Sequence, residues 1–214
     1  MGALLKFSDV VDGFNNQVGK FIRWLVLASV LISAGNAIIR KAFNVSSNAY
    51  LEIQWYLFAA VFMLGAGYAF LRNVHVRIDF ISSKLSKRTN TIIDALGIVV
   101  FLIPLCLILI NLSWPLFYST WQTGEMSQNA GGLIRWPVMA LLPLGFLILL
   151  LQAVSELIKR IAYLRGLIAE PMTLEHGKSD EELLAEELAS EAEQHELAAA
   201  LKARQAATTP DKGR

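Results

Sequence analysis

Residues 95–120 read ALGIVVFLIPLCLILINLSWPLFYST, a run with no Asp, Glu, Lys, Arg or His. An α-helix needs about 20 apolar residues to cross a hydrocarbon core of about 30 Å. Three further stretches share this character: 24–39, 53–71 and 136–155. The shortest, 24–39, reaches spanning length when Arg23 and Arg40 snorkel to the two interfaces. The fold class that follows is all-α integral membrane, with four transmembrane helices at about 21–40, 51–72, 92–114 and 135–157 in a membrane domain of residues 21–165. In lipid every backbone amide must be paired within its helix and charge must stay near the ends.

Outward from these spans, charge sets the frame. Residues 1–169 hold 14 Lys and Arg against 7 Asp and Glu, whereas 170–214 hold 5 against 11, so a net charge of +1 conceals a basic body and an acidic tail. Cationic side chains gather on the cytoplasmic side of short loops. Lys6, Lys20, Arg23, Arg72, Arg77, Lys84, Lys87, Arg88, Lys159, Arg160 and Arg165 fall on one side, and only Arg40, Lys41 and Arg135 on the other. Both termini are therefore predicted in the cytoplasm. Trp55, Trp114, Trp121 and Trp136 mark the outer interface and Trp24 and Tyr68 the inner one, as amphipathic rings favour headgroup depth. The polar lead-in through Lys20 favours a signal anchor over a cleavable signal peptide.

Residues 1–20 place Leu4, Leu5, Phe7, Val10, Val11 and Phe14 at roughly helical spacing among Lys6, Asp9 and Asp12, predicting a short N-terminal interfacial arm. In span 1, Ser29, Ser33 and Ala37 recur at steps of four, a small-residue stripe suited to close helix packing, inside this bundle or against another subunit. Glu52 opens span 2. It reads as a cap favoured by the helix dipole or an interface salt bridge with Arg40 or Arg135, or as a functional ion site if buried. Gly65 belongs to a second small-residue face.

After span 2, Val74, Ile78, Ile81 and Leu85 repeat at helical spacing while Arg77, Lys84 and Arg88 take another face, predicting a basic amphipathic helix on the inner leaflet. His75 reads first as a hydrogen-bonded loop histidine. Pro104 predicts a kink in span 3, whose end is expected near Asn111 or Trp114-Pro115. Residues 122–133, with Gly124, Gly131 and Gly132, predict a flexible outer loop. Pro137 suits the first turn of span 4, and Pro143 predicts a second kink. Residues 170–214 form an acidic cytoplasmic tail in which Ser179-Asp180-Glu181-Glu182 caps a helical run.

Several chemistries lack their residues. His75, His176 and His195 all lie outside the spans, so axial haem ligation is unsupported. There is no P-loop, no Gly-x-Ser-x-Gly elbow and no His-Glu-x-x-His. The single Cys106 pairs with nothing in one copy. Neither a metal nor a cofactor is expected, no enzyme activity is indicated, and no nucleic-acid partner is implied. With no ionisable side chain at a bilayer midplane, the chain reads as a scaffold or accessory subunit rather than a pump.

Over residues 15–165 the sequence resembles the small permease subunit of tripartite ATP-independent periplasmic (TRAP) transporters, the DctQ-like family. The resemblance is carried in order by Arg40-x-x-Phe43-Asn44, Glu52, Tyr56-Leu57-Phe58, Gly65, Arg72, His75-Val76 and Asp79. The acidic tail is longer than is usual there. The resemblance implies a multi-pass protein of the bacterial inner membrane. Its implied partners are a large TRAP permease subunit, which moves an organic acid in symport, and a periplasmic substrate-binding protein. Arg40, Glu52, Gly65, Arg72, His75, Arg77 and Asp79 are then expected at subunit or lipid interfaces, and Ser29, Ser33 and Ala37 in helix packing. The alternative is an autonomous four-helix transporter or channel acting as a homo-oligomer, with Glu52 as its ionisable site.

Overall fold

The computed structural model describes residues 2–44, 47–73 and 85–168, all within the first of two compact units, Met1–Met172 and Thr173–Arg214. The stretch 74–84, with His75, Arg77 and Asp79, and the acidic tail lie outside the described residues.

The described chain is helical. Helix α1 runs Gly2–Phe43, α2 Asn48–Leu71, α3 Lys87–Gly97, α4 Ile103–Thr123 and α5 Trp136–Leu164, with a π-helical turn, Ile98–Leu102, fusing α3 to α4. Counting that fused pair once, four helices are long and apolar enough to cross a membrane. The only pairing of extended backbone among the described residues is a single antiparallel bridge between Met126 and Ile134.

Two boundaries differ from those read in the sequence. The arm and span 1 are one helix of 42 residues, about 63 Å long at about 1.5 Å per residue. Gly13 and Gly19 do not interrupt it, because the intervening residues pack against other helices. A Cβ at Gly19 would lie 2.5 Å from the Tyr68 ring, so the residue serves close approach. Span 3 does not stop at Trp114-Pro115 but continues to Thr123, where Gly124 takes the left-handed conformation (φ 60°). Pro115 lies inside this helix without ending it. The hydroxyls of Ser113 and Thr120 return hydrogen bonds to carbonyls in their own helix, at 2.6 Å to Leu109 and 2.9 Å to Phe117.

The π turn has a cause in Pro104. Ile103 N–H bonds the Ile98 carbonyl, five residues back, and Pro104 beyond it has no N–H to offer. The turn also corrects register. The buried positions Thr91, Ile98, Cys106, Ser113 and Thr120 are separated by 7, 8, 7 and 7 residues. The single longer step crosses the π turn. One extra residue rotates a helix by about 100°, and the wider turn absorbs it, so one seam faces the bundle along the fused helix.

Helix α5 is the centre, with α1, α2 and α4 packed on it and α1 also against α2. Of the most apolar window, 28% is buried in α5 and 6% in α1. The α2–α5 crossing is tight. A Cβ at Gly145 would stand 2.7 Å from the Met63 carbonyl oxygen, so only glycine permits that backbone contact.

Candidate functional site

The polar side chains of this bundle gather at its two ends. At one end Glu52, in the second turn of α2, is only 6% exposed. Its Oε1 accepts hydrogen bonds from the Ser127 hydroxyl and, at 2.8 Å, from the Asn129 amide. Its Oε2 accepts from the backbone N–H of Leu133 at 2.6 Å. The start of α2 grips the same loop twice more: the Asn48 amide donates to the Ala130 carbonyl (3.0 Å), and the Tyr56 hydroxyl to that of Ile134 (3.1 Å).

The loop is closed on itself as well. Ser127 N–H donates to the Leu133 carbonyl and Arg135 N–H to that of Glu125, both at 2.9 Å. Arg135 and Glu125 form an ion pair, and the rings of Trp121 and Trp136 meet edge to face at 4.5 Å across the loop base. A Cβ at Gly132 would fall 2.9 Å from Glu52 Oε1. The stretch read as a flexible outer loop is thus fastened to α2 through a carboxylate. The expected salt bridge is absent, since Arg135 is taken by Glu125 and Arg40 is exposed in the last turn of α1. Neutral donors from the loop fill the carboxylate's acceptor sites instead. An open groove of about 480 Å³ lies beside it, lined in part by Glu52, Trp55, Tyr56, Arg135 and Met139.

At the opposite end α1 meets α5 through charge. Lys159 Nζ lies 2.8 Å from Asp12 Oδ2 and also pairs with Glu156. Arg160 binds Glu156 Oε2 at 2.6 Å and stands 3.7 Å from Asp94 of α3. Gln152 links the charged and neutral parts, donating to Asp12 Oδ1 at 2.9 Å and accepting from the Asn15 amide at 2.7 Å. The Ser155 hydroxyl donates to Asp12 Oδ1 at 3.0 Å, and the Ser8 hydroxyl to the Ser155 carbonyl at 3.1 Å. Ser8, Asn15, Gln152, Ser155, Glu156, Lys159 and Arg160 are all buried.

This cluster escaped the sequence reading, although its signal was present. Ser8, Asp12 and Asn15 are spaced by four and three, and Gln152, Ser155 and Lys159 by three and four. Two polar stripes of matching period are what paired helices require.

The remaining expected residues are dispersed. Arg72 bonds the Asn16 side chain at 3.1 Å and lies over the Tyr68 ring, 5.6 Å from its centroid. Gly65 faces Ile22 of α1, its would-be Cβ at 3.4 Å from Cδ1. Of the small-residue stripe, Ser29 is buried, Ser33 half-buried and Ala37 exposed, because α1 runs clear of its neighbours toward its C-terminus. Among the described residues no group of three or more His, Cys, Asp or Glu could hold a metal ion.

Residues 21–162 match the family model described as the DctQ component of tripartite ATP-independent periplasmic transporters. The chain belongs to the DctQ family. It is accordingly a small membrane subunit of a TRAP transporter, and the family is one of transporter components, not of enzymes. Neither the curated proteins nor the solved structures give a match. The matched segment begins after Ser8, Asp12 and Asn15 and includes their α5 partners, so this polar cluster, a latch between α1 and α5, joins residues within the DctQ match to a helix extension that precedes it.

Proposed function

We propose that this DctQ component is a scaffold and stator. It binds a large permease subunit and stabilises it during ion-coupled, binding-protein-dependent uptake of an organic acid across a bacterial inner membrane. Its termini lie in the cytoplasm, placing the Glu52 end toward the periplasm and the Asp12 end toward the cell interior. The observation that carries this reading is the disposition of polarity. The carboxylates at both ends are engaged by partners in their own chain. The long faces between the ends are apolar and uncovered, with Val99, Val100, Phe101, Leu105 and Ile108 among the exposed side chains of the fused helix. A subunit with the carboxylates at its ends engaged internally and its apolar flanks bare is suited to holding a neighbour in lipid, where packing and shape drive helix association. Glu52, on which an autonomous carrier would depend, already has three donors in its own chain.

Within this reading Arg40, with Ser33 and Ala37 on the free part of α1, is offered to the large subunit, and Arg72, His75, Arg77 and Asp79 to that subunit or to headgroups. The test is co-expression with a tagged large permease subunit, followed by reconstitution. The complex is expected to co-purify and to take up solute only with the large subunit and the binding protein present. Uptake into sealed vesicles by this chain alone would overturn the proposal.

A further inference from the structure

One face of α1 takes part in neither polar end. Lys20, Arg23, Trp24 and Leu27 stand at i, i+3, i+4 and i+7, hence on one side of the helix, and among the described residues they line an open groove of about 490 Å³. All four are exposed, Trp24 by 69%. Neither cation meets an acidic side chain among the described residues.

Depth identifies the occupant. From Arg23 to Arg40 the helix rises about 26 Å, close to the hydrocarbon thickness of about 30 Å. With α1 across the membrane, Lys20 and Arg23 stand at headgroup level, the Trp24 indole at the interface and Leu27 one turn deeper. Phosphate-binding cations, an amphipathic ring and an aliphatic side chain are thus stacked in the order in which a phospholipid presents its phosphate, glycerol and acyl chain. Unneutralised positive charge selects a net-negative lipid over a zwitterionic one. An acidic protein segment would match the cations but not the apolar half of the groove at this depth.

The geometry points to a site for one anionic phospholipid on this face, with its phosphate between Lys20 and Arg23 and an acyl chain along Trp24 and Leu27. The inference rests on α1 crossing the membrane and is independent of the stator reading.

Native mass spectrometry of the full chain in detergent, titrated with phosphatidylglycerol or phosphatidylcholine, tests it. Wild type is expected to retain one phosphatidylglycerol in preference to phosphatidylcholine. K20Q/R23Q should weaken that adduct by roughly 30-fold, from about fivefold per cation near a membrane surface. W24A should weaken it less, and K41Q, at the far end of α1, should leave it unchanged. Because the substituted side chains are exposed, an unaltered thermal midpoint is expected to show that the fold persists. Inorganic phosphate should not displace the lipid at equal concentration, whereas equal displacement would reduce the site to an anion contact and overturn the proposal. Unchanged phosphatidylglycerol retention in K20Q/R23Q would overturn it too. So would a K20Q/R23Q variant that keeps its lipid but no longer co-purifies with the large subunit, since the face would then belong to that partner.

Discussion

At the Glu52 end one carboxylate is held by a hydroxyl, a side-chain amide and a backbone N–H from a single loop. At the Asp12 end three carboxylates and two cations are shared among α1, α3 and α5. The first arrangement fastens a loop to one helix, and its neutral donors could turn to water if the carboxylate were lost. The second fastens helix to helix, and its charges have no such retreat, because Glu156, Lys159 and Arg160 are 4%, 8% and 4% exposed. The two ends should therefore differ in how far damage spreads.

Removing Glu156 tests the difference at its largest. Among the described residues, Glu156→Ala leaves Lys159 with Asp12 as its acidic partner and Arg160 with the distant Asp94 and the backbone carbonyl of residue 156. Breaking a buried ion pair by deleting one partner costs about 3–5 kcal/mol. The expected result is a large fall in the thermal midpoint of the purified protein, with α1 becoming accessible to protease near Asp12. A midpoint unchanged from wild type would show that the cluster is solvated and that the contrast between the ends is false.

Between the ends lies the α2–α5 crossing, and Gly145→Ala should be next in effect. The added methyl meets the Met63 carbonyl oxygen and carbon at 2.7 and 2.9 Å. These are backbone atoms that no rotamer change can move, so a cost of about 1–3 kcal/mol follows from overpacking. Because the crossing sets the separation of the two ends, this substitution should loosen both. Amide exchange measured at each end of α5 would register it.

Glu52→Ala should act locally. The Leu133 N–H loses its acceptor, and its exchange is expected to quicken by about tenfold or more, with the thermal midpoint falling less than in Glu156→Ala. Charge reversal, Glu52→Lys, should lower the yield of complex with the large subunit. A midpoint loss in Glu52→Ala equal to that of Glu156→Ala would erase the distinction between a loop clasp and a helix latch.

What the sequence disclosed and what it withheld divide along the same line. The four spans were legible because lipid enforces long charge-free runs, a signal that needs no knowledge of partners. Pro137 in the first turn of α5 was legible for a similar local reason. The partners of Glu52 were not, since Ser127, Asn129 and Leu133 lie more than seventy residues away in the chain and nothing in a Gly-rich loop announces a carboxylate site. The unity of α1 was hidden by composition. Its first half looks like a surface helix because Ser8, Asp12 and Asn15, which face α5 rather than water, read in sequence like the exposed Lys6 and Asp9 beside them. The continuation of α4 past Pro115 was hidden by a rule that holds better in water than in lipid, where proline is tolerated inside spanning helices.

The smallest effect should come from Gly65, and its smallness is informative. Gly65, Gly67 and Gly145 all look alike in sequence as small residues in apolar helices. A Cβ at Gly65 would meet only the Ile22 Cδ1 methyl, at 3.4 Å, whereas one at Gly67 would meet Asn15 Oδ1 at 2.6 Å and Ile148 Cγ2 at 2.8 Å. Ile22 can turn its chain end aside, while Asn15 is held by Gln152. Gly65→Ala should therefore change stability by less than about 0.5 kcal/mol, because alanine's better helix propensity offsets the slight crowding. Gly67→Ala should push Asn15 off Gln152 and weaken the latch on α1. If Gly65→Ala leaves the isolated protein intact yet lowers its yield with the large subunit, that face of α2 bears on the partner. If it destabilises the isolated protein as much as Gly67→Ala does, the α1–α2 contact is tighter than the distance to Ile22 implies.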